Sequence, residues 1–428
     1  MLKKISTAKN ILATTVLLPI CFSCVYAAKS LAQTQSSPQK LVDEVWQILN
    51  ANYVDSSFNN QDWKAIRQQY VNRSYTSNKQ AYTAIKEMVA KLGDRYTDFY
   101  DPKEYQELNN DLSGTLSGVG LQLAENEKTK LPTVVAPIQG TPAFKAGILP
   151  DDAITKINDQ PTQGMNINNA VKLIQGKAGT TVKLTIQRNN HQVQTFQLTR
   201  ANIPLHPVTY HTQINKTGKI GYISLPEFTE TAPSEMRQAI NALEKQNVQG
   251  YVLDLRSDPG GLVDSSLKIA SMWLKKDAIV SLVNRDQAKE SYNASGHPLT
   301  NKPLVVLVDK GSASASEILA GALQDDKRAT LVGTRTFGKG LVQAVEPLED
   351  GSALKLTIAK YYTPKGRDIN HVGIVPDTTV ELTSSQLQSL LKNGALGTQA
   401  DPQYARAVAS LNQLIQTEAN YVGLKRGK

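Results

Sequence analysis

Apolar positions along this chain repeat with two different periods, and the period changes twice. Leu41, Val45, Ile48 and Leu49 fall at i, i+4, i+7 and i+8, which is one face of a helix. The pattern predicts a second helix over about 79–92, stopped by Gly93. Residues from about 38 to 105 therefore read as helical, with Gly93-Asp94-Arg95-Tyr96-Thr97 and Asp101-Pro102 as turn signals. From about 112 to 200 short strands alternate with Gly and Pro turns. Val182, Leu184 and Ile186 alternate with polar residues, as a half-buried strand does. One helix stands out there, with Asn166 as cap, Ile167, Ala170, Val171 and Ile174 as apolar face, and Gly176 as stop. From about 205 to 380 strands and helices alternate: strand 251–255, helix 264–274, buried strand 304–308, helix 318–323, strand 329–332. That order predicts an α/β core. The tail over about 383–428 reads as polar helix, packed on the core or on the N-terminal helices.

The start of the chain is a separate block. Lys3, Lys4 and Lys9 precede an apolar run from Ile11 to about Ala28, and Val25-Tyr26-Ala27 or Ser30-Leu31-Ala32 offers a small-residue exit. This is the pattern of a secretory signal peptide over 1–32. A retained anchor helix is the rival, against which Pro19 interrupts the run. A lipid anchor on Cys24 is the weaker rival, because Cys21-Phe22-Ser23 matches a lipobox poorly. Removing the block changes the composition. Both cysteines, Cys21 and Cys24, leave with it, so the mature chain has no disulfide, thiol nucleophile or Cys-based metal site. It also takes four lysines and no acid, so the formal charge of +9 falls to +5. The remaining basic residues are scattered, not gathered into the stripe that nucleic acid requires. With 428 residues, two or three domains are expected.

Strand 304–308 runs into Asp309-Lys310-Gly311-Ser312-Ala313-Ser314-Ala315-Ser316-Glu317 and then a helix. A sharp turn of small residues at a helix start lets a substrate backbone approach, and the free N–H groups there can stabilise an oxyanion. The same residues also fit a plain capped helix, with Ser314 or Ser316 as cap. Arg335-Thr336-Phe337-Gly338-Lys339-Gly340 follows the next strand. A lysine between two glycines is placed by backbone, and burial can lower its pKa from about 10.4 until it accepts a serine proton. A phosphate-binding loop is the rival for Lys339, but the Walker spacing is absent. Gly260-Gly261 follows strand 251–255 and permits close backbone approach; an ordinary strand–helix turn explains it equally.

These motifs, with Leu253-Asp254-Leu255-Arg256, resemble the carboxyl-terminal processing, or tail-specific, serine proteases, and the resemblance covers essentially the whole mature chain. It implies Ser314 as nucleophile, Lys339 as general base and Gln343 as the residue orienting the lysine. It points more softly to Asp325 and Glu317 in supporting roles; Asp325 lies about three turns down the helix and also fits a structural part. The implied oxyanion hole uses the N–H of Ala315 and one from Gly260-Gly261. The family more often has Asn where Asp258 stands, and the Asp258 side chain is expected to point away.

Ser117-Gly118-Val119-Gly120-Leu121 resembles the carboxylate-binding loop of a PDZ domain, in which Gly118, Val119, Gly120 and Leu121 would hold a substrate C-terminus. Without the resemblance it is a generic Gly-rich strand entry. Pro142 to Asp152 resembles the family's next turn, with Asp151 where Gly is usual. The implied architecture is multidomain α/β: signal peptide 1–32, N-terminal helical domain 33–111, inserted PDZ-like domain 112–200, crotonase/Clp-protease-like α/β core 201–382 and C-terminal helical segment 383–428. The implied activity is serine endopeptidase cleavage of C-terminal tails, without metal or nucleotide. The expected partners are protein substrates with free C-termini, including membrane-associated ones. The implied place is the periplasm or thylakoid lumen. The chain looks most similar to the plastid and cyanobacterial branch, whose substrate is the precursor of a photosystem II reaction-centre protein. A general periplasmic tail protease and a binding module with a dead core are the alternatives. Ser265-x-x-Lys268 lacks its partner motifs and reads as a capped surface helix. No Gly-x-Ser-x-Gly elbow accompanies the histidines.

Overall fold

The computed structural model describes residues 37–426, apart from 127, 139, 189–191, 205–207 and 216; the 1–32 leader reading falls outside these. Three helices open the chain, Pro38–Asn52, Trp63–Val71 and Asn78–Ala90. Each has a side-chain cap: Ser37, Asp62 and Ser77 accept N–H bonds from Lys40, Ala65 and Gln80. Leu41, Val45 and Leu49 are fully buried, so the helical face read from the sequence is the packed one. Each such side chain contributes about 2 kcal/mol by leaving water. Asp101-Pro102, read as a turn, instead starts the helix Pro102–Ser113: Asp101 accepts the Glu104 N–H, and the Glu104 carboxylate accepts the Asp101 N–H.

A β-rich unit follows. Strands Leu121–Glu125, Pro132–Pro137, Ala153–Ile157, Thr181–Arg188 and Gln192–Thr199 form one antiparallel sheet, and the helix Ile167–Ile174 packs Ala170 and Ile174 into its core. Asp151 sits at φ 65°, the left-handed region that explains why glycine suits this turn. Thr115–Gly118 pairs with Ala201–Pro204, so the unit leaves the chain and returns to it at one place.

The α/β core is a six-stranded sheet in the order Thr209–Asn215, Gly218–Ser224, Tyr251–Asp254, Leu304–Val308, Thr330–Gly333, Thr378–Thr379. The first pair is antiparallel and the rest are parallel. Strand Leu304–Val308 is buried on both faces. Val306 and Val308 meet helices Ala232–Lys245, Val263–Ala270 and Ala315–Asp325, while Val305 and Leu307 meet Tyr404, Ala407, Val408 and Leu411 of Pro402–Arg426. The C-terminal helix thus packs on the core. The βαβα reading did not anticipate a second, antiparallel sheet. In it Ala353–Tyr362 pairs with Asp98–Tyr100, Leu341–Pro347 and Ala278–Asn284, which in turn pairs with Lys289–Asn293. Ser265 and Ser266, read as part of a surface helix, are buried and donate to the Thr229 and Val263 carbonyls; Lys268 reaches the surface, paired there with the exposed Asp264.

Candidate active site

Strand Leu304–Val308 ends at Asp309, whose carboxylate accepts the N–H groups of Gly311 and Ser257, both at 2.8 Å. The Ser312 hydroxyl donates to the Leu255 carbonyl at 2.7 Å. The turn after the strand is therefore tied to the end of its neighbour, Tyr251–Asp254. Gly260 lies so close that an added Cβ would meet the Ala313 carbonyl at 2.7 Å, the Ala315 nitrogen and the Ser314 Cβ at 2.9 Å. Only glycine fits there, which explains the Gly pair physically.

Ser314 itself has φ 56° and ψ −114°, at the start of the helix Ala315–Asp325. A non-glycine residue in that region costs about 1–3 kcal/mol and persists only where its surroundings impose it. Four contacts impose it, one of them the Glu317 N–H donating to the Ser314 carbonyl at 2.9 Å. The Ser314 N–H donates to Glu317 Oε2 at 3.0 Å, the buried Tyr361 hydroxyl donates to the Ser314 carbonyl at 3.1 Å, and the Ile318 N–H donates to the same carbonyl at 3.0 Å.

Glu317 is fully buried, and its carboxylate gathers four donors. Oε1 accepts the Thr336 hydroxyl at 2.5 Å and the Gly338 N–H at 2.8 Å; Oε2 accepts the N–H groups of Ser314 and Lys339, the latter at 2.9 Å. One carboxylate oxygen therefore holds the backbones of Ser314 and Lys339 together. The Phe337 N–H closes the same junction on the Ser312 carbonyl at 3.0 Å. The flanking glycines are explained too: a Cβ on Gly338 would strike the Gly373 nitrogen, and one on Gly340 the Asn370 nitrogen, each at 2.8 Å.

Lys339 is half-buried, and its Nζ lies 4.7 Å from the centre of the Tyr96 ring. Burial is the main influence lowering its pKa below the ordinary lysine value of 10.5, and the nearby cations Lys355 and Arg95 act the same way. Asp94 and Glu317 act in the opposite sense. Gln343 pairs in register with Thr357 and reaches its Oγ1 at 3.4 Å; Thr357 donates onward to Asp94 Oδ2 at 2.6 Å. Gln343 thus belongs to the polar network beside the lysine, donating to Thr357.

The sequence singled out Gly93-Asp94-Arg95-Tyr96-Thr97 as a turn, and its place at the lysine was not read from it. Tyr96 covers the Nζ, and Arg95 stacks on both Tyr96 and Phe337. A Tyr and an Arg inside a tight turn was the available signal, since turns seldom need either.

Asp325 is not brought to this cluster. At the far end of its helix it accepts the Lys365 N–H at 3.0 Å and the Arg367 guanidinium at 2.5 Å. Asp325→Asn is expected to destabilise the fold by about 2 kcal/mol, read as a lower urea midpoint, with kcat per folded molecule within about twofold of wild type. Asp258 does not point away. Its Oδ1 turns back on the Gly260 N–H at 2.8 Å, because an Asp two residues before an N–H in a tight turn closes on it. The Gly260 N–H is therefore engaged, and the turn's remaining candidate donor is Gly261, alongside Ala315.

At the candidate carboxylate loop, Gly120 has φ 81°, and its carbonyl and that of Val119 accept the N–H groups of Ile138 and Ala143, both at 2.9 Å. Carbonyls held inward leave the adjoining N–H groups to form an anion-binding concavity. The Val119 side chain is in the core, and Leu121 is half-buried at the start of its strand.

Comparison with known proteins matches three stretches. Residues 219–380 fit peptidase family S41, 133–188 a PDZ domain, and 38–80 the tricorn protease C1 domain. The chain is 43% identical to a carboxyl-terminal-processing protease of Synechocystis sp. over 86% of each chain. It is 38% identical to the chloroplastic carboxyl-terminal-processing peptidase 3 of Arabidopsis thaliana over 84% of this chain and 72% of that one. Among solved structures, it is similar to a photosystem II D1 C-terminal processing protease, at 35% identity and a TM-score of 0.56, over 86% of this chain and all of that one.

Proposed function

The chain belongs to peptidase family S41, as a carboxyl-terminal-processing serine-type protease, and on that premise we propose that it cuts C-terminal tails with Ser314 as nucleophile and Lys339 as general base. The observation that carries this reading is Glu317 Oε2 joining the N–H groups of Ser314 and Lys339. Neutral Lys339 takes the Ser314 proton as Oγ attacks the scissile carbonyl. The N–H groups of Ala315 and Gly261 stabilise the oxyanion. The amine leaves with a proton from Lys339, and water then releases the acyl group by the same route. Gln343 acts on the lysine through the Thr357–Asp94 network, Glu317 holds the dyad's backbones, and Asp325 serves the fold.

The substrate's free carboxylate docks at Gly118–Leu121, and its last residues add to the strand that begins at Leu121. The photosystem II D1 precursor is the physiological substrate we infer, in the thylakoid lumen or periplasm once the 1–32 leader is removed. The name of the similar solved protease and the cyanobacterial and chloroplastic relatives support this.

The test is a protein with an unstructured apolar C-terminal tail, either free or amidated, given to wild type and Ser314→Ala. Wild type is expected to cut the free tail, with kcat/KM reduced about tenfold or more by amidation, as loss of one charge-assisted hydrogen-bonded contact predicts. Ser314→Ala is expected to bind without cutting. Binding without cutting by wild type would make the chain a binding module instead.

A further inference from the structure

Asp258 is fully buried in the turn that faces Ser314. Its Oδ1 accepts the Gly260 N–H, while Oδ2 has no hydrogen-bond partner among the described residues. Its backbone carbonyl accepts the Ala313 N–H at 3.0 Å and the Ser316 hydroxyl at 2.9 Å, two residues that bracket Ser314. Asp258 is thus the clip between the glycine turn and the nucleophile turn.

The charged surroundings of this carboxyl are unfavourable to ionisation. The segment after strand Gly218–Ser224 contributes Glu227, a like charge. The helix Ala315–Asp325 offers the Ser316 hydroxyl; its Glu317 is committed to the lysine side. Asp309, across the turn, is committed to the Ser257 and Gly311 N–H groups. A buried carboxylate with one bare oxygen and a like charge nearby is far costlier than the neutral acid.

We propose that Asp258 is a positioning residue of the oxyanion turn that works as a neutral carboxylic acid, and that losing its proton switches the turn off. As the acid, it anchors Gly260 and leaves the Gly261 and Ala315 N–H groups to the substrate. As the carboxylate, it sets a negative charge beside donors that must receive a developing oxyanion, and the transition state is opposed. This rests on the dyad reading above. Burial, opposed by the Gly260 N–H and the Ser316 hydroxyl and reinforced by Glu227, raises the Asp258 pKa to about 8, which places the loss of activity just above neutrality. Lysine deprotonation raises activity with pH, and Asp258 ionisation lowers it, so the profile is a bell whose two limbs belong to different residues.

The experiment has two readouts. The first is kcat/KM for tail cleavage from about pH 6 to 10 by wild type and Asp258→Asn. The second is the infrared carbonyl band of a protonated carboxyl in the Ser314→Ala protein, with and without Asp258→Asn. The expected result is an alkaline limb in wild type with a midpoint near 8, falling about tenfold per pH unit beyond it. Asp258→Asn should lack this limb while keeping the acid limb. The infrared band should be present at pH 7, titrate with the same midpoint and vanish with Asp258→Asn. An alkaline limb that survives Asp258→Asn overturns the proposal, as does absence of the band at pH 7. If wild type cuts no tail at any pH, the dyad reading falls. The band then decides the protonation of Asp258 alone, and its absence overturns that too.

Discussion

Lys339→Ala is expected to lower kcat for tail cleavage by about 10²–10⁴-fold, the usual contribution of a positioned general base, with little change in stability. The two halves of this expectation have separate causes. The chemistry depends on the Nζ, which alanine removes. The fold depends on the Lys339 backbone N–H, which alanine keeps on Glu317. On the acid limb of its profile, wild-type activity should rise with pH, because only the neutral amine accepts the serine proton. The rise should come below the ordinary lysine value of 10.5, since burial, Lys355 and Arg95 outweigh Asp94 and Glu317. The Tyr96 face favours the ammonium form and so opposes them. Pre-steady-state acylation across pH is the measurement. A Lys339→Ala enzyme cutting at the wild-type rate would remove lysine from the mechanism.

Glu317→Ala is expected to damage both properties at once, lowering stability by about 3–5 kcal/mol and leaving no measurable cleavage. The carboxylate satisfies four donors, three of them backbone N–H groups that no other side chain can reach in its place. Each buried donor left without a partner costs about 1–3 kcal/mol, partly relieved if water enters. The Ser314 conformation, with φ at 56°, loses one of its four restraints, the N–H bond to the Glu317 carboxylate. Glu317→Gln should fall between, because its amide keeps the volume but offers one acceptor oxygen and presents a donor to another donor pair. Urea unfolding and the activity of the folded fraction separate the two losses. Equal loss of activity in both variants with stability unchanged would mean that Glu317 acts on chemistry directly.

Much of the candidate site was legible because its logic is local. Glycines at 260, 311, 338 and 340 are demanded by close contacts that an added Cβ would break. What escaped was decided by distant partners. The pairing of Asp98 with Lys355 joins segments about 250 residues apart, and neither segment's alternation reveals its partner. The role of Tyr96 depends on that pairing. Ser265 was misread because a polar residue at a helix start suits a surface cap, whereas here the Thr229 carbonyl satisfies it inside the core. Asp258 was misread because its side chain was judged by charge alone, when the nearby Gly260 N–H captured it.

The junction between the N-terminal helices and the second sheet bears on when the enzyme comes alive. Leu348, Leu354 and Leu356 share one apolar cluster with the first three helices, Tyr82 donates to Asp350, and Thr97 and Asp94 bind Thr357. The surroundings of Lys339 thus draw on residues 94–97 and on residues after position 340. A chain still emerging from the ribosome presents Ser314 before the setting of Lys339 is finished. With the dyad proposed above, tail cleavage therefore waits until the strand that carries Thr357 has folded against Asp94 and Thr97.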